Sequence, residues 1–443
     1  MRVIKVVVDI YQQRRIALLS QLPENSLVLL AGYQQKVRSK NIKYHFRQDN
    51  NFLYLTGFDE PDAIALLIKN ETTSFHLFLR PKDKDQEVNF GHRAGVCGAI
   101  EHYNADHAYP VSEFTTELLC QMKGITHLYI CDENNRFSSE IVSWANHHRH
   151  NGSFDTPKQF VAIKQLAEVL HQQRLIKSEN EINNIRLAVE ASTYAHKKVM
   201  QACSPGLNER ELFALFNFSI AKKGCSDVAY PNIVASGNNA CCLHYEENCC
   251  ELEDGQMLLI DAGAEYQYYA SDITRSYPVN GKFNDEQKAI YQIVLNALDR
   301  AIEIIRPGLS WNLIHETCMK VMAIGLKDLG LLTGSIEHIM TTESYKRFTV
   351  HKTGHWMGMD VHDVGSYHDT AGNWVRLESG MVFTIEPGIY IPLDATDVPE
   401  AYRGIGIRIE DDILVSDSSF ENLSKNIPRT VGEIEALMAG SEV

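Results

Sequence analysis

Four acidic residues stand where acids are expensive. The apolar stretches QMLLIDAGAEY, YASDITRSYPV, MVFTIEPGIYI and GIRIEDDILV carry Asp261, Asp272, Glu386 and Glu410. A lone carboxylate in a core strand costs on the order of several kcal/mol unless it is paired or metal-bound. One such acid is easily an ion pair, but four suggest a shared purpose. Asp261 and Asp272 lie 11 residues apart, which suits a hairpin that brings them together. Glu386 and Glu410 lie 24 apart, on two strands joined by a longer loop. Two hairpins with two acids each could build one pocket.

Alternation along a strand puts residues i and i+2 on one face. It predicts Thr274 beside Asp272 and Arg408 beside Glu410, as groups that orient the acids. Arg408 would serve equally as an ordinary charge partner of Glu410. An imidazole is offered by HKTGHWMGMDVHDVG, where His351, His355 and His362 stand among glycines that permit close backbone approach. The residues themselves do not choose among the three. Hard oxygen donors with one imidazole suit Mn²⁺, with Fe²⁺, Co²⁺ or Zn²⁺ also compatible. Carboxylates around two divalent ions make a hydrolytic centre, because the ions acidify a shared water, polarise a carbonyl and stabilise an oxyanion. The spacing predicts a dinuclear metallohydrolase.

The elements that must position these residues are legible in outline. In the first 170 residues NSLVLLAG, AIALLIKN, SFHLFLR and ITHLYICD read as strands and SEFTTELLCQM as a helix, a compact α/β domain. From KQFVAIKQ onwards, residues 158–203 are rich in helix formers with helical periodicity, and Ser178 with Glu181 fits a capping box. The expected boundary falls near 171–177 and divides the chain into 1–174 and 175–443. The second domain mixes helices over 208–223, 284–306 and 310–329 with the four acid-bearing stretches.

Composition bounds the partners. With 443 residues, two or three domains are expected, and 44% hydrophobic content suffices for real cores. A net charge of −15 without a lysine/arginine tract argues against nucleic acid or an anionic membrane as partner. No apolar run approaches the roughly 20 residues of a membrane span. MRVIKVVVDIYQQRR lacks the long apolar core and cleavage site of a signal peptide. Ten cysteines then read as reduced thiols of a cytoplasmic protein.

Several motifs fail on inspection. CCLHYEENCC (241–250) suggests zinc, but adjacent cysteines on a strand point to opposite faces and structural zinc prefers C-x₂₋₄-C. IHETCMK has Met319 where HExxH needs its second histidine. RGIGIR and DAGAEY are incomplete as dinucleotide loops, and no G-x-S-x-G elbow occurs.

The carboxy-terminal half resembles the pita-bread metallopeptidases, which include methionine aminopeptidase, prolidase and aminopeptidase P. The resemblance lies in YPNIVASGNNACCLHY, LLIDAGAEYQYYASDITRSYPV, HKTGHWMGMDVHDVG, FTIEPGIYI and GIRIEDDILV. The amino-terminal half resembles aminopeptidase P in YHFRQDNNFLYLTGFDEPDA, and HWMGMDVHDVG, with Trp356, looks closer to aminopeptidase P than to prolidase. This implies an α/β N-terminal domain of the creatinase/aminopeptidase P type, followed by an α+β pita-bread catalytic domain. It implies Asp261, Asp272, His355, Glu386 and Glu410 as ligands of two divalent ions, most often manganese, with Asp272 and Glu410 bridging. It implies that His244, His351 and His362 line the pocket and that His244 and His362 hold the substrate or the developing oxyanion. Glu386 would shuttle a proton from the metal-bound water, and the chain would form a homodimer or homotetramer.

The implied activity is release of the N-terminal residue from peptides with proline second, by attack of a dinuclear-metal-bound hydroxide on the Xaa-Pro carbonyl. An Xaa-Pro bond has no N–H, so a site seating the pyrrolidine ring against apolar walls leaves an ordinary amide's N–H unpaired. An Xaa-Pro dipeptidase would use the same ligands, and a metal-free peptide-binding module is the remote alternative. Asn89, in EVNFGHR, departs from the pattern. Similar aminopeptidases P usually carry a tryptophan there, which in some members reaches a neighbouring subunit's active site.

Overall fold

The computed structural model describes residues 2–131, 136–150 and 161–441. The chain divides into two compact units, Met1–Gln173 and Arg174–Val443.

The first unit is built on a six-stranded sheet. Its strands are β1 (Ser26–Ala31), β2 (Ile64–Lys69), β3 (Thr73–Leu79), β4 (His107–Pro110), β5 (His127–Cys131) and β6 (Ala162–Gln165), in the order β4-β3-β2-β1-β5-β6. The four apolar runs expected as strands are β1, β2, β3 and β5; Asp132, at the end of the last run, lies outside the described residues. β1 is buried along its whole length, paired antiparallel to β2 (Leu29 opposite Leu66) and parallel to β5 (Leu29 opposite Ile130). Burial on both faces is why it reads as a continuous apolar run. Helix α1 (Phe114–Gln121) lies within the expected window and gives Phe114 and Leu118 to the core with Leu27, Leu66 and Phe78.

The helical reading of residues 158–203 needs correction at its start. Ala162–Gln165 is strand β6, paired parallel to β5, because a free sheet edge beside His127–Ile130 accepts its backbone. Tertiary pairing overrides local propensity there. Lys158–Phe160 lie outside the described residues.

In the second unit α2 (Glu179–Ala202) begins as the sequence predicts. The backbone N–H and hydroxyl of Ser178 both donate to Glu181 Oε2, at 2.9 and 2.6 Å. Helices α3 (Glu209–Lys222), α4 (Asp285–Glu303) and α5 (Asn312–Asp328) fall inside the other helical windows. They flank short sheets containing β7 (Ile233–Ser236), β8 (Met257–Asp261), β9 (Ala264–Tyr266), β10 (Tyr269–Ala270) and β11 (Thr274–Pro278). Further along the chain come β12 (Val382–Ile385), β13 (Gly388–Ile391), β14 (Ile405–Arg408) and β15 (Asp411–Val415).

These strands form two broken antiparallel ribbons. In the first, β8 pairs with β11 (Asp261 opposite Thr274), the pairing lapses, and β9 resumes with β10 (Glu265 opposite Ala270). In the second, β12 pairs with β15 (Ile385 opposite Asp411), and β13 resumes with β14 (Gly388 opposite Arg408). The four acids gather at these two breaks. Asp261 ends β8, whereas Asp272, Glu386 and Glu410 lie in the interruptions rather than inside strands. The physical reason is the acid itself: an interruption frees the backbone to turn a carboxylate out of the sheet.

Candidate metal centre

The breaks of the two ribbons are joined directly. Glu410 N–H donates to Thr274 O at 3.1 Å, and Asp272 N–H donates to Asp412 Oδ2 at 3.2 Å. Ser276 Oγ donates to Arg408 O at 2.9 Å. One cavity of about 1240 Å³ is lined by Asp261, Asp272, Glu386, Glu410, Arg408 and His355. Asp272, His355 and Glu410 each offer a ligand atom, and these atoms all lie within 4.8 Å of one another.

The i, i+2 expectation for the orienting groups is corrected. Thr274 Oγ1 donates to Glu410 Oε2 at 2.7 Å, across the ribbons, rather than serving Asp272. Arg408 Nη2 donates to Asp261 Oδ2 at 2.5 Å, rather than to Glu410. Alternation fails because a break separates each residue from its expected partner. The same guanidinium reaches Thr274 Oγ1 (3.1 Å) and Tyr390 Oη (2.8 Å).

His355 stands out among the three loop histidines. Its Nε2 is 3.3 Å from Asp272 Oδ2 and 3.8 Å from Glu386 Oε1. Its Nδ1 is 3.1 Å from Trp356 O, and an N–H there would free the Nε2 lone pair for a ligand once a cation displaces the proton that Nε2 holds towards Asp272. Gly354 makes this approach feasible: a Cβ there would meet Thr384 O at 2.2 Å. The strand-like contact is sealed by Thr384 N–H donating to His355 O at 3.0 Å. The His362 ring crosses that of His355 with centroids 4.4 Å apart. His351 Nε2 lies 2.7 Å from Tyr390 Oη and its Nδ1 2.7 Å from Lys352 O. Its Nδ1 is also 3.5 Å from Glu386 Oε2. His244 and His362 line the same cavity.

A buried ion cluster fixes the loop. Asp363, next to His362, takes Arg174 Nη2 on Oδ1 at 2.7 Å and Lys177 Nζ on Oδ2 at 3.0 Å. Its backbone N–H donates to Trp356 O at 2.8 Å.

The electrostatics expose an excess of negative charge. Burial, reinforced by Asp272 and Glu386, holds the Glu410 carboxyl well above its ordinary range. Burial likewise pushes Glu386 up to about 8. Burial opposes ionisation of Asp272 too, but the hydrogen bond and charge of His355 hold its carboxyl below the usual value. Burial pushes His351 down to about 4, with Arg408 adding to the effect. Four carboxylates facing one guanidinium, with an imidazole in reach, are the donor set and the charge deficit that divalent cations fit.

Three residues at this centre escape the sequence reading: Tyr230 and His315 line the cavity, and Tyr390 contacts its Arg408 and His351. Tyr230 Oη donates to Asp261 Oδ1 at 2.6 Å. Tyr390 links Arg408 to His351. His315, from the dismissed IHETCMK stretch, lines the cavity, with Nδ1 3.1 Å from Thr353 Oγ1. No local pattern marks Tyr230 or Tyr390, since their partners are remote in sequence.

The CCLHYEENCC loop is organised by an acid instead of by its thiols. Buried Glu209 accepts Ser236 N–H and Oγ–H on Oε1, each at 2.7 Å, and Tyr245 Oη–H and Cys250 N–H on Oε2, at 2.8 and 2.9 Å. Cys241, Cys242, Cys249 and Cys250 are free thiols. Asn89 is exposed on the helix Lys84–Phe90, where its Nδ2 donates to Asp85 O at 2.8 Å.

Residues 183–417 match the model of metallopeptidase family M24, and residues 11–129 match that of the aminopeptidase P N-terminal domain. The chain is 40% identical over 433 residues to Xaa-Pro aminopeptidase of Escherichia coli, covering 97% of this chain and 98% of the relative. Among solved structures, Pseudomonas aeruginosa aminopeptidase PepP superposes with a TM-score of 0.94 at 43% identity, covering 98% of each chain. E. coli aminopeptidase P with the inhibitor Pro-Leu superposes with a TM-score of 0.93 at 39% identity, again covering 98% of each chain.

Proposed function

The chain belongs to metallopeptidase family M24, and on that premise we propose that it is an Xaa-Pro aminopeptidase, releasing the first residue of peptides with proline second. The observation that carries this reading is the convergence of Asp272, His355 and Glu410 within 4.8 Å at the wall of an open cavity of about 1240 Å³. A dipeptide needs far less space, and small-ligand pockets rarely exceed about 1000 Å³.

Asp261, Asp272, His355, Glu386 and Glu410 would hold two divalent ions. Oxygen-dominated ligation favours Mn²⁺. Bound ions would acidify a water and polarise the scissile carbonyl. The residues of the chain do the rest. Glu386, within 3.5–3.8 Å of His351 and His355, receives the proton of the attacking water and delivers it to the proline nitrogen. His244 and His362 face the substrate, where a ring N–H can donate to the carbonyl oxygen as charge develops. Arg408 and Tyr230 hold the Asp261 carboxylate in a fixed orientation. His351 keeps Tyr390, and through it Arg408, in place.

A homodimer or homotetramer is part of this reading. It is supported by exposed Val37, Ile42, Tyr44, Val88 and Phe90 on the first unit. Ten free cysteines favour a reducing compartment, the cytoplasm. Among the described residues no helix is long and apolar enough to cross a membrane.

The test incubates manganese-loaded protein with Gly-Pro and with a longer Xaa-Pro-Yaa peptide. Release of the first residue from the longer peptide supports the aminopeptidase. Cleavage confined to Gly-Pro would instead assign an Xaa-Pro dipeptidase, and no cleavage of either would assign a binding module.

A further inference from the structure

A short hairpin at the rim of the cavity carries an aromatic pair that the proposed chemistry does not use. His368 and Trp374 face each other across it as a backbone bridge, their rings packed with centroids 4.1 Å apart. Both line the same cavity as Asp272 and His355. Trp374 nevertheless remains 41% exposed, so one face of the indole is open to a ligand.

The hairpin is rigid for its size. Asp369 Oδ1 accepts the N–H groups of Ala371 and Asn373 at 2.9 and 2.8 Å, and Asp369 N–H donates to Asn373 O at 2.8 Å. At its base Val375 N–H donates to Tyr367 O at 3.1 Å, and Trp311 N–H donates to Val375 O at 3.0 Å. The Tyr367 ring in turn stacks on Trp356, the neighbour of His355, with centroids 5.4 Å apart. The indole is therefore held in register with the candidate metal centre, so little freedom is lost when something binds it.

Resting on the proposed activity, we propose that Trp374, backed by His368, is a subsite for an aromatic side chain at the third position of the peptide substrate. The direction follows from exopeptidase geometry. The bond to be cut follows the first residue, so that residue's carbonyl must meet the buried carboxylates. The chain beyond the proline leads outwards to the rim, of which Trp374 is part. A fixed, half-open indole selects a flat ring, which it stacks in an offset or edge-on arrangement.

The test compares kcat and KM for Ala-Pro-Phe and Ala-Pro-Gly in the manganese-loaded wild type, Trp374→Ala and Trp374→Phe. Calorimetric titration with the uncleaved product analogues Pro-Phe and Pro-Gly gives a second readout. The wild type should prefer the phenylalanine peptide by about three- to tenfold, the size of one aromatic stacking contact, and through KM. Trp374→Ala should bring that ratio close to one, and Trp374→Phe should restore most of it. Equal ratios in the wild type and Trp374→Ala would overturn the subsite while leaving the aminopeptidase reading intact. A Trp374→Ala effect that follows the first residue, in Phe-Pro-Gly against Gly-Pro-Gly, would overturn it as well. Absence of any first-residue release would overturn the activity and the subsite together.

Discussion

Arg408 Nη2 donates to Asp261 Oδ2 at 2.5 Å, tying the last residue of β14, at the break of one ribbon, to the last residue of β8, at the break of the other. Tyr230 holds the second oxygen of the same carboxylate at 2.6 Å. Each oxygen keeps a lone pair for a cation, so the two donors aim the carboxylate without consuming it. Groups that orient a ligand in this way typically govern affinity by about 10- to 100-fold. Tyr230→Phe should therefore lower metal affinity or kcat/KM by about that factor, with the fold intact by circular dichroism. Arg408→Lys should do at least as much, because an ammonium cannot serve Asp261, Thr274 and Tyr390 together.

The Asp363 cluster predicts a stability effect. Both Arg174 and Asp363 are almost wholly buried, and Lys177 shares the carboxylate. Removing one partner of a buried pair strands the other charge. Asp363→Ala should lose about 3–5 kcal/mol in urea unfolding. It should also loosen the loop that carries His355 and His362.

Acid stability should depend on Asp411. Burial works against its ionisation, but Arg275 (2.7 Å) and Arg429 (3.3 Å) hold its carboxyl below the ordinary value of 3.8. A carboxyl depressed in the folded state contributes stability that is complete above its unfolded pKa. The contribution is lost as pH falls through the lower folded value. Unfolding free energy measured from about pH 5 down to about pH 2 should fall steeply in the wild type. The slope below about pH 4 should be shallower in Asp411→Asn, which starts from a lower stability at neutral pH.

Glu209 predicts a link between a remote acid and the candidate substrate site. It accepts five hydrogen bonds, from Ser236, Asn239, Tyr245 and Cys250, around the loop that carries His244. Glu209→Ala leaves buried donors unpaired at about 1–3 kcal/mol each. The expected result is lower thermal stability and a raised KM for Xaa-Pro-Yaa peptides.

These residues are unevenly legible in the sequence, for physical reasons. Asp261, Asp272, Glu386 and Glu410 were legible because an acid in an apolar run is costly and therefore conspicuous. The strand breaks were not, since Asp272 and Glu410 sit beside Ile273 and Ile409 in β-branched runs that an unbroken strand would equally have. With the breaks hidden, alternation along a strand pairs Thr274 and Arg408 with the wrong acids of the right set. His355 could not be separated from His351 and His362 by spacing; its contacts with Asp272 and Glu386 depend on Gly354 meeting the strand that carries Thr384. Strand β6 was hidden because its partner edge is remote in sequence.

The central claim is that Asp272, His355 and Glu410 form the heart of a metal-dependent aminopeptidase site. The direct measurement is metal content and first-residue release from Ala-Pro-Gly, made in parallel on wild-type and Asp272→Asn protein after manganese loading. The wild type should retain about two divalent ions per chain and release alanine, while Asp272→Asn should lose bound metal and turnover together. Wild-type metal content and turnover in Asp272→Asn would contradict the account.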